Sequence, residues 1–396
     1  MAGDDTEPTP AVTRRTALES GAALAAGGAL AGCSDLVGSD SAGSTRTDGT
    51  YSVTMSPTGT VEFDAVPDSV FTVFPQYADM AVALGHGDAL DSVYVPEMSG
   101  TTMNHYYHHL DGVSLDWSRL ADPLRDGLSK ESVIAHGSDV HLADPVWAAN
   151  QDGWDENDVE EVSEQVGPWV GNFYSGTHAD PPSGGSDYEY YGLWDLFGTV
   201  ASVFRERDRY EALASVRSEM LAEIESNLPP EDERPTAVRV TYSGDAFWTY
   251  HLNKPGYWLA DTRPLGARDA FAERDWGQLW GEVGWEAMAE ADPDVILHLW
   301  GLTPNYDMAE VRSQLQSHSI GQELGAVSNG RVYPQGMRYQ GPIMNLFQTE
   351  MTAKQLYPDR FGEWPAYADG DPYPEIPSEE QLFDRERVAA AIRGEV

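Results

Sequence analysis

The stretch from Tyr188 to Leu228, YEYYGLWDLFGTVASVFRERDRYEALASVRSEMLAEIESNL, contains no proline and repeats apolar residues at three- and four-residue steps. That spacing gathers apolar side chains on one face of a helix. The run is long for one globular helix, so Gly192 or Gly198 is the expected point of interruption. The segment PPEDERP, Pro229–Pro235, stops it. A helix of this length in the middle of 396 residues leaves a substantial stretch of chain on either side, enough for two domains of ordinary size.

Both halves alternate strand and helix signals. SVFTVFP (Ser69–Pro75) and LDSVYVP (Leu90–Pro96) are short β-rich runs ending at proline, and YADMAVALGH between them has helical spacing. In the second half TAVRVTYSG and NGRVYP read as strands, and GPIMNLFQTEMTAKQLYP reads as a helix with Pro342 in its first turn. This rhythm predicts parallel sheets covered by helices, an α/β fold. One unit occurs twice. Glu131 precedes an apolar helical turn and Asp139 opens the strand VHLADP; Glu286 precedes another such turn and Asp294 opens VILHLWG. Each half therefore holds a similar helix–strand unit, and the long helix sits between the two.

The N-terminus reads as an address. Arg14 and Arg15 precede a short Ala/Gly-rich apolar run that ends in Leu30-Ala31-Gly32-Cys33. Too few apolar residues are present to span a bilayer, and the pattern matches a twin-arginine export signal. Cys33 is the only cysteine, so an intramolecular disulfide is impossible. Its place at the end of a lipobox-like sequence makes it the lipidated first residue of the mature chain. The Ser/Gly/Asp/Thr-rich stretch after it reads as a flexible tether. The expected organisation is signal 1–32, tether 33–58, N-terminal lobe 59–187, linking helix 188–228, C-terminal lobe 229–365 and acidic C-terminal extension 366–396.

Charge narrows the partners. With 65 acidic against 24 basic residues the net charge is −41. Such a surface argues against a nucleic-acid-binding face and repels itself at low ionic strength. Molar salt shortens the Debye length to about 3 Å, and the composition resembles that of haloarchaeal proteins. No G-x-S-x-G elbow, G-x-x-x-x-G-K-[ST] loop or G-x-G-x-x-G turn is present, so no motif points to nucleophilic, phosphate-loop or dinucleotide chemistry.

FDAVPDSVFTVFPQYADMAVALG, the two Glu…Asp units, NGRVYP and GPIMNLFQTEMTAKQLYPDRFG together resemble the substrate-binding lipoproteins of ABC importers, in the class that takes ferric siderophores, corrinoids and haem. The likeness runs from about Gly59 to Gly362. It implies two Rossmann-like α/β lobes joined by a single long helix with a ligand cleft between them, capture there of an iron(III)-siderophore of the hydroxamate type, with cobalamin or haem as alternatives, and no cofactor. It also implies delivery to an ABC permease with its ATPase by a monomer tethered outside the cell. Glu131 and Glu286 match the family's paired docking carboxylates, which meet permease arginines.

Because α/β sheets bind ligands at the carboxyl ends of their strands, aromatic residues following strand signals are the cleft candidates. Tyr77, Trp147, Tyr242 and Trp300 follow them most closely; Trp169, Trp248, Trp258, Tyr106, Tyr107 and Tyr174 complete the set. Arg338, between a strand and a helix start, offers a planar donor fork to an anionic or hydroxamate oxygen. His105, His108 and His109 in NHYYHH form the densest imidazole cluster, with His251 and His298 elsewhere. They are the basis of a rival reading, an extracellular metal-dependent hydrolase, although the spacing lacks the sharpness of H-E-x-x-H.

Overall fold

The computed structural model describes residues 49–182, 188–244, 246–368 and 370–396. Arg14, Arg15 and Cys33 lie outside the described residues. Strand β1 (Tyr51–Met55) pairs antiparallel with β2 (Gly59–Phe63). The expected tether over 33–58 overlaps this hairpin, since Tyr51–Met55 is a strand. YSVTM alternates apolar and hydroxyl residues, which buries Val53 and Met55 while Ser52 and Thr54 face solvent. Tyr51 stacks on Phe63 with ring centroids 5.3 Å apart.

The first lobe continues through β3 (Val70–Thr72), α1 (Pro75–Ala83), α2 (Pro96–Tyr107), α3 (Lys130–His136), β4 (Val140–Leu142), α4 (Pro145–Ala149) and α5 (Glu156–Gln165). β3 and β4 are parallel, and parallel bridges place Leu90 beside Val70, Ala121 beside Ser92 and Trp169 beside His141. The run LDSVYVP thus lies alongside the sheet as a bridged segment, not as a full strand.

The second lobe contains β5 (Thr236–Tyr242), β6 (Phe247–Tyr250), β7 (Arg268–Asp269), β8 (Trp280–Val283), α8 (Trp285–Ala291), β9 (Val295–His298), α9 (Met308–Ser317), α10 (Gly325–Ser328) and β10 (Val332–Pro334). β5, β9 and β10 run parallel, β7 pairs with the start of β5, and β6 and β8 extend the sheet antiparallel.

The duplicated unit is visible in the geometry. Glu131 is the second residue of α3 and Glu286 the second of α8, both helices being seven residues long. In the first lobe the Asp139 carboxylate accepts the main-chain N–H groups of Asp68 and Ser69, and Asp139 N–H donates to Ser69 O. In the second the Asp294 carboxylate accepts Thr236 N–H, and Asp294 N–H donates to Thr236 O. Each aspartate ties the start of its strand to the start of the neighbouring parallel strand.

The linking stretch is two helices, α6 (Leu193–Phe204) and α7 (Arg207–Asn227). The break falls at Arg205, whose φ is +58°, and not at either glycine. Gly192 precedes the first turn of α6. Gly198 stays helical, and its lack of a side chain makes room for the Tyr210 ring: a Cβ there would sit 3.0 Å from Tyr210 Cζ. Glu206 accepts from His86 at 3.1 Å and pairs with Arg209 at 3.6 Å, which pins the elbow to the first lobe. Leu213, Val216, Met220 and Ile224 form the buried stripe of α7.

Helix α11 (Pro342–Leu356) is buried along its entire length, including Glu350 and Lys354, and is followed by α12 (Pro358–Phe361). Charged side chains are rarely fully buried without partners, and the C-terminal extension supplies them. Glu350 accepts from Arg385 at 2.9 Å, Leu382 N–H at 2.7 Å and Tyr373 O–H at 2.8 Å. Lys354 donates to Phe361 O and faces Glu380 at 3.7 Å. The last helix, α13 (Arg385–Arg393), lies on α7, where Arg387 forms a two-pronged pair with Glu219 at 2.6 and 3.0 Å. The extension is a brace over the central helix. Among the described residues, no helix is long and apolar enough to cross a membrane.

Candidate ligand-binding site between the lobes

Six chain segments emerging from the carboxyl ends of strands and bridged segments deliver side chains to one place. Phe74 follows β3, Tyr94 follows the bridged segment at Ser92, Trp147 lies in α4 after β4, and Phe173 follows the segment at Trp169. From the second lobe Trp300 follows β9, while Arg338 and Tyr339 follow β10. The Phe74 ring lies 4.8 Å from Trp147, 4.6 Å from Phe173 and 5.7 Å from Tyr339. Tyr339 in turn lies 5.3 Å from Trp258 and 5.8 Å from Trp300. An aromatic layer therefore crosses from one lobe to the other.

Arg338 is set into this layer. Its guanidinium carbon is 4.5 Å from the ring centre of Trp258, 4.9 Å from Tyr339, 5.7 Å from Trp280 and 5.8 Å from Trp300. Aromatic faces at these distances attract a cation and stiffen its long side chain. Nη1 donates to the Tyr250 hydroxyl oxygen at 3.1 Å and Nη2 to the Tyr339 hydroxyl oxygen at 2.9 Å. Among the described residues the buried Nε has no partner; the indole Nε1 of Trp258 is unpartnered too, but it is turned against Gly176. Among the described residues Arg338 forms no ion pair. A fixed charge with open donors and flat apolar walls can hold a bulky ligand and meet its anionic or carbonyl-type oxygens.

Backbone geometry supports the aim of two walls. Trp300 has φ +70° and Val95, next to Tyr94, has φ +39°. Side-chain-bearing residues seldom occupy this left-handed region, and such strain concentrates at functional sites. The Trp300 turn is held by its N–H donating to Gly336 O at 2.9 Å and Leu302 N–H donating to Gln335 O at 2.9 Å. Burial pushes the Tyr94 hydroxyl pKa up, with Tyr339 and Asp122 reinforcing the rise and Arg338 opposing it.

Beneath the site Arg239 and Asp261 form a fully buried pair at 2.7 Å, and Asp261 also accepts from Gln340 at 2.9 Å. The start of α11 is fixed from the first lobe: the buried Asp79 carboxylate of α1 accepts Ile343 N–H at 2.9 Å, Met344 N–H at 3.2 Å and the Tyr107 O–H. Gly341 is required there, since a Cβ would meet Asp79 Oδ2 at 2.5 Å.

Of the sequence candidates, Trp147, Trp300 and Arg338 are gathered here. Tyr77 is not: it is fully buried in α1, accepting Asn172 N–H at 2.7 Å and donating to Asn172 O at 3.2 Å. Tyr242 sits in the core of the second lobe against Phe247 and Trp285. Both follow strand signals but point into packed interiors. Trp169, Tyr106 and Tyr107 are likewise buried, whereas Trp258 joins the cage. Trp248 is the exposed aromatic among the described large hydrophobics, on the same face of β6 as Tyr250. Tyr250 and Trp280, absent from the sequence candidates, are cross-strand partners in the antiparallel pair β6–β8.

The histidines do not converge. His108 is exposed, while His109 lies under Tyr373 with its Nε2 against that residue's carbonyl. Burial pushes the His105 pKa down, and its Nδ1 has no partner. His251 meets Asp269 at 3.2 Å, and His298 Nε2 accepts Tyr242 N–H at 3.1 Å. Among the described residues no three His, Cys, Asp or Glu side chains surround a common point. The geometry that a zinc hydrolase would need is therefore not assembled from these side chains.

Residues 159–336 match the family model described as periplasmic binding protein. No curated protein sequence matches the chain. Solved structures similar to it include a periplasmic binding protein from Veillonella parvula DSM 2008, at 17% identity and TM-score 0.55 over 80% of this chain and 93% of that one. The iron uptake ABC transporter substrate-binding protein PiuA from Streptococcus pneumoniae Canada MDR_19A is 14% identical with TM-score 0.54, over 77% and 97%. An ABC-type Fe3+-hydroxamate transport system protein from Saccharomonospora viridis DSM 43017 is 17% identical with TM-score 0.51, over 78% and 99%. At these identities the likeness is one of fold, and the fold is the two-lobed α/β architecture of binding proteins.

Proposed function

We propose that the chain is the solute-capturing component of an ABC importer and that its ligand is a ferric hydroxamate siderophore held against Arg338. The observation that carries this reading is the convergence of strand ends from both lobes on one cation that, among the described residues, has no ion-pair partner and is walled by aromatic rings. A ferric hydroxamate presents negatively polarised oxygens around the metal and aliphatic linkers outside it. Arg338 suits the oxygens, and Trp147, Trp300 and Tyr339 suit the linkers. The two iron-related proteins of the same fold, one named for iron uptake and one for Fe3+-hydroxamate transport, support the choice.

In the same reading Glu131 and Glu286 dock on the permease, one carboxylate from each lobe at matched helix positions and both exposed. The Glu131 pKa is lowered by its own main-chain N–H and by the Ser129 hydroxyl, so it is ready as an anion for an arginine. Export by the twin-arginine route and lipidation at Cys33 keep the protein on the outer face of the membrane that carries its permease and ATPase. The protein acts as a monomer.

Titrating intrinsic tryptophan fluorescence with ferrioxamine B, cobalamin and haemin tests the ligand. Saturable quenching by ferrioxamine B at one equivalent is expected. Saturation by cobalamin or haemin with no response to ferrioxamine B would replace the siderophore with that ligand.

A further inference from the structure

A separate cavity lies at the opposite end of the second lobe, where its parallel strands begin. A cavity of about 430 Å³ between the starts of β5, β9 and β10 and the end of α11 is lined by Arg234, Arg268, Arg331 and Arg360. The chain as a whole carries 24 basic against 65 acidic residues, so carboxylate neighbours are abundant. Yet among the described residues none of these four arginines has a carboxylate within ion-pairing distance.

Their donors are partly spent on main-chain oxygens, which fixes their position. Arg331 Nη2 donates to Gln355 O at 3.2 Å and Leu356 O at 3.1 Å. Arg234 donates to Pro229 O at 3.1 Å and Gly266 O at 3.2 Å. Arg268 uses only Nε, on Arg234 O at 2.8 Å. Among the described residues the exposed Arg360 side chain makes no such bond. Glu233, Asp294 and Asp359 also border the cavity, so the arginines exceed the carboxylates by one. Asp294 is moreover occupied by Thr236 N–H at 2.7 Å. Guanidinium groups that line one cavity and keep Nη hydrogens unspent in the contacts above can meet a tetrahedral oxyanion in bidentate fashion.

The geometry points to an anion site for a doubly charged tetrahedral oxyanion, the phosphate monoester or sulfate type, distinct from the inter-lobe site. The phosphate-bearing group could belong to a free solute or to a lipid headgroup, and the experiment separates these. Phosphate and sulfate are titrated calorimetrically into the full chain at fixed KCl, alongside Arg268→Ala/Arg360→Ala and Arg268→Lys/Arg360→Lys. One saturable site is expected. The alanine pair should weaken it tenfold or more and the lysine pair should retain part of it, with thermal midpoints unchanged. Glycerol phosphate binding as well as inorganic phosphate assigns a free solute. Retention on phosphatidic acid vesicles but not on phosphatidylcholine vesicles, lost in the alanine pair, assigns a headgroup. Absence of saturable heat, equal response to chloride, or binding indifferent to the alanine pair overturns the inference. Ferrioxamine B quenching is read in the same samples and should not change.

Discussion

Replacing Asp79 by asparagine should change how stability depends on pH in a direction the structure fixes. Burial pushes the Asp79 pKa up from 3.8 to about 7, opposed in part by the Tyr107 hydroxyl and by the main-chain N–H groups of Met344 and Ile343. A carboxyl raised in the folded state keeps its proton while the unfolded chain loses it, so stability falls as pH rises between about 4 and about 7. Each tenfold change in acidity on folding is worth about 1.4 kcal/mol, so a rise of this size costs about 4 kcal/mol once the unfolded chain is fully ionised. Asparagine preserves the shape: Oδ1 can accept Ile343 N–H and Met344 N–H, and Nδ2 can donate to the Tyr107 oxygen. It carries no ionisation cost. Urea unfolding of both proteins at a series of pH values and one salt concentration gives the difference directly, and the other carboxylates cancel. The variant should gain stability relative to the parent as pH rises from about 4 to about 8, by up to about 4 kcal/mol. Parallel curves would refute the reasoning, since Asp79 would then titrate alike in both states.

The extension yields a second stability test. Arg385→Ala leaves Glu350 buried with only Leu382 N–H and Tyr373 O–H, and should cost about 3 kcal/mol in urea unfolding, whereas Arg385→Met with Glu350→Gln should recover part of it. Glu131→Ala with Glu286→Ala should abolish delivery of ligand to reconstituted permease while ferrioxamine B quenching stays intact; lost quenching would mean these residues serve the ligand site.

Much of the fold was legible because the parallel units announce themselves. Glu131 to Asp139 and Glu286 to Asp294 encode helix, turn and strand in consecutive residues, and their geometry matches in the two lobes. The elbow at Arg205 was not legible, because a left-handed arginine leaves no compositional mark, while Gly198 was a false signal that serves a ring contact. The site was half legible. Trp300 and Arg338 follow parallel strands, so the strand-end rule finds them. Tyr250 and Trp280 reach Arg338 through antiparallel pairing, which is a long-range choice that neither FWTY nor WGEV reveals alone. Tyr77 and Tyr242 obey the same strand-end rule but are turned inward by Asn172 and by the Phe247–Trp285 packing.

The central claim is that Arg338, caged by Trp258, Trp280, Trp300 and Tyr339, is the ligand's polar anchor. Calorimetric titration of ferrioxamine B into the parent protein and Arg338→Ala tests it directly. Hydrogen bonds from a charged donor contribute about 1.5–3 kcal/mol, so the variant should bind about ten- to a hundredfold more weakly with the fold unchanged. Equal affinity in the two proteins, or no binding by the parent, would contradict the account.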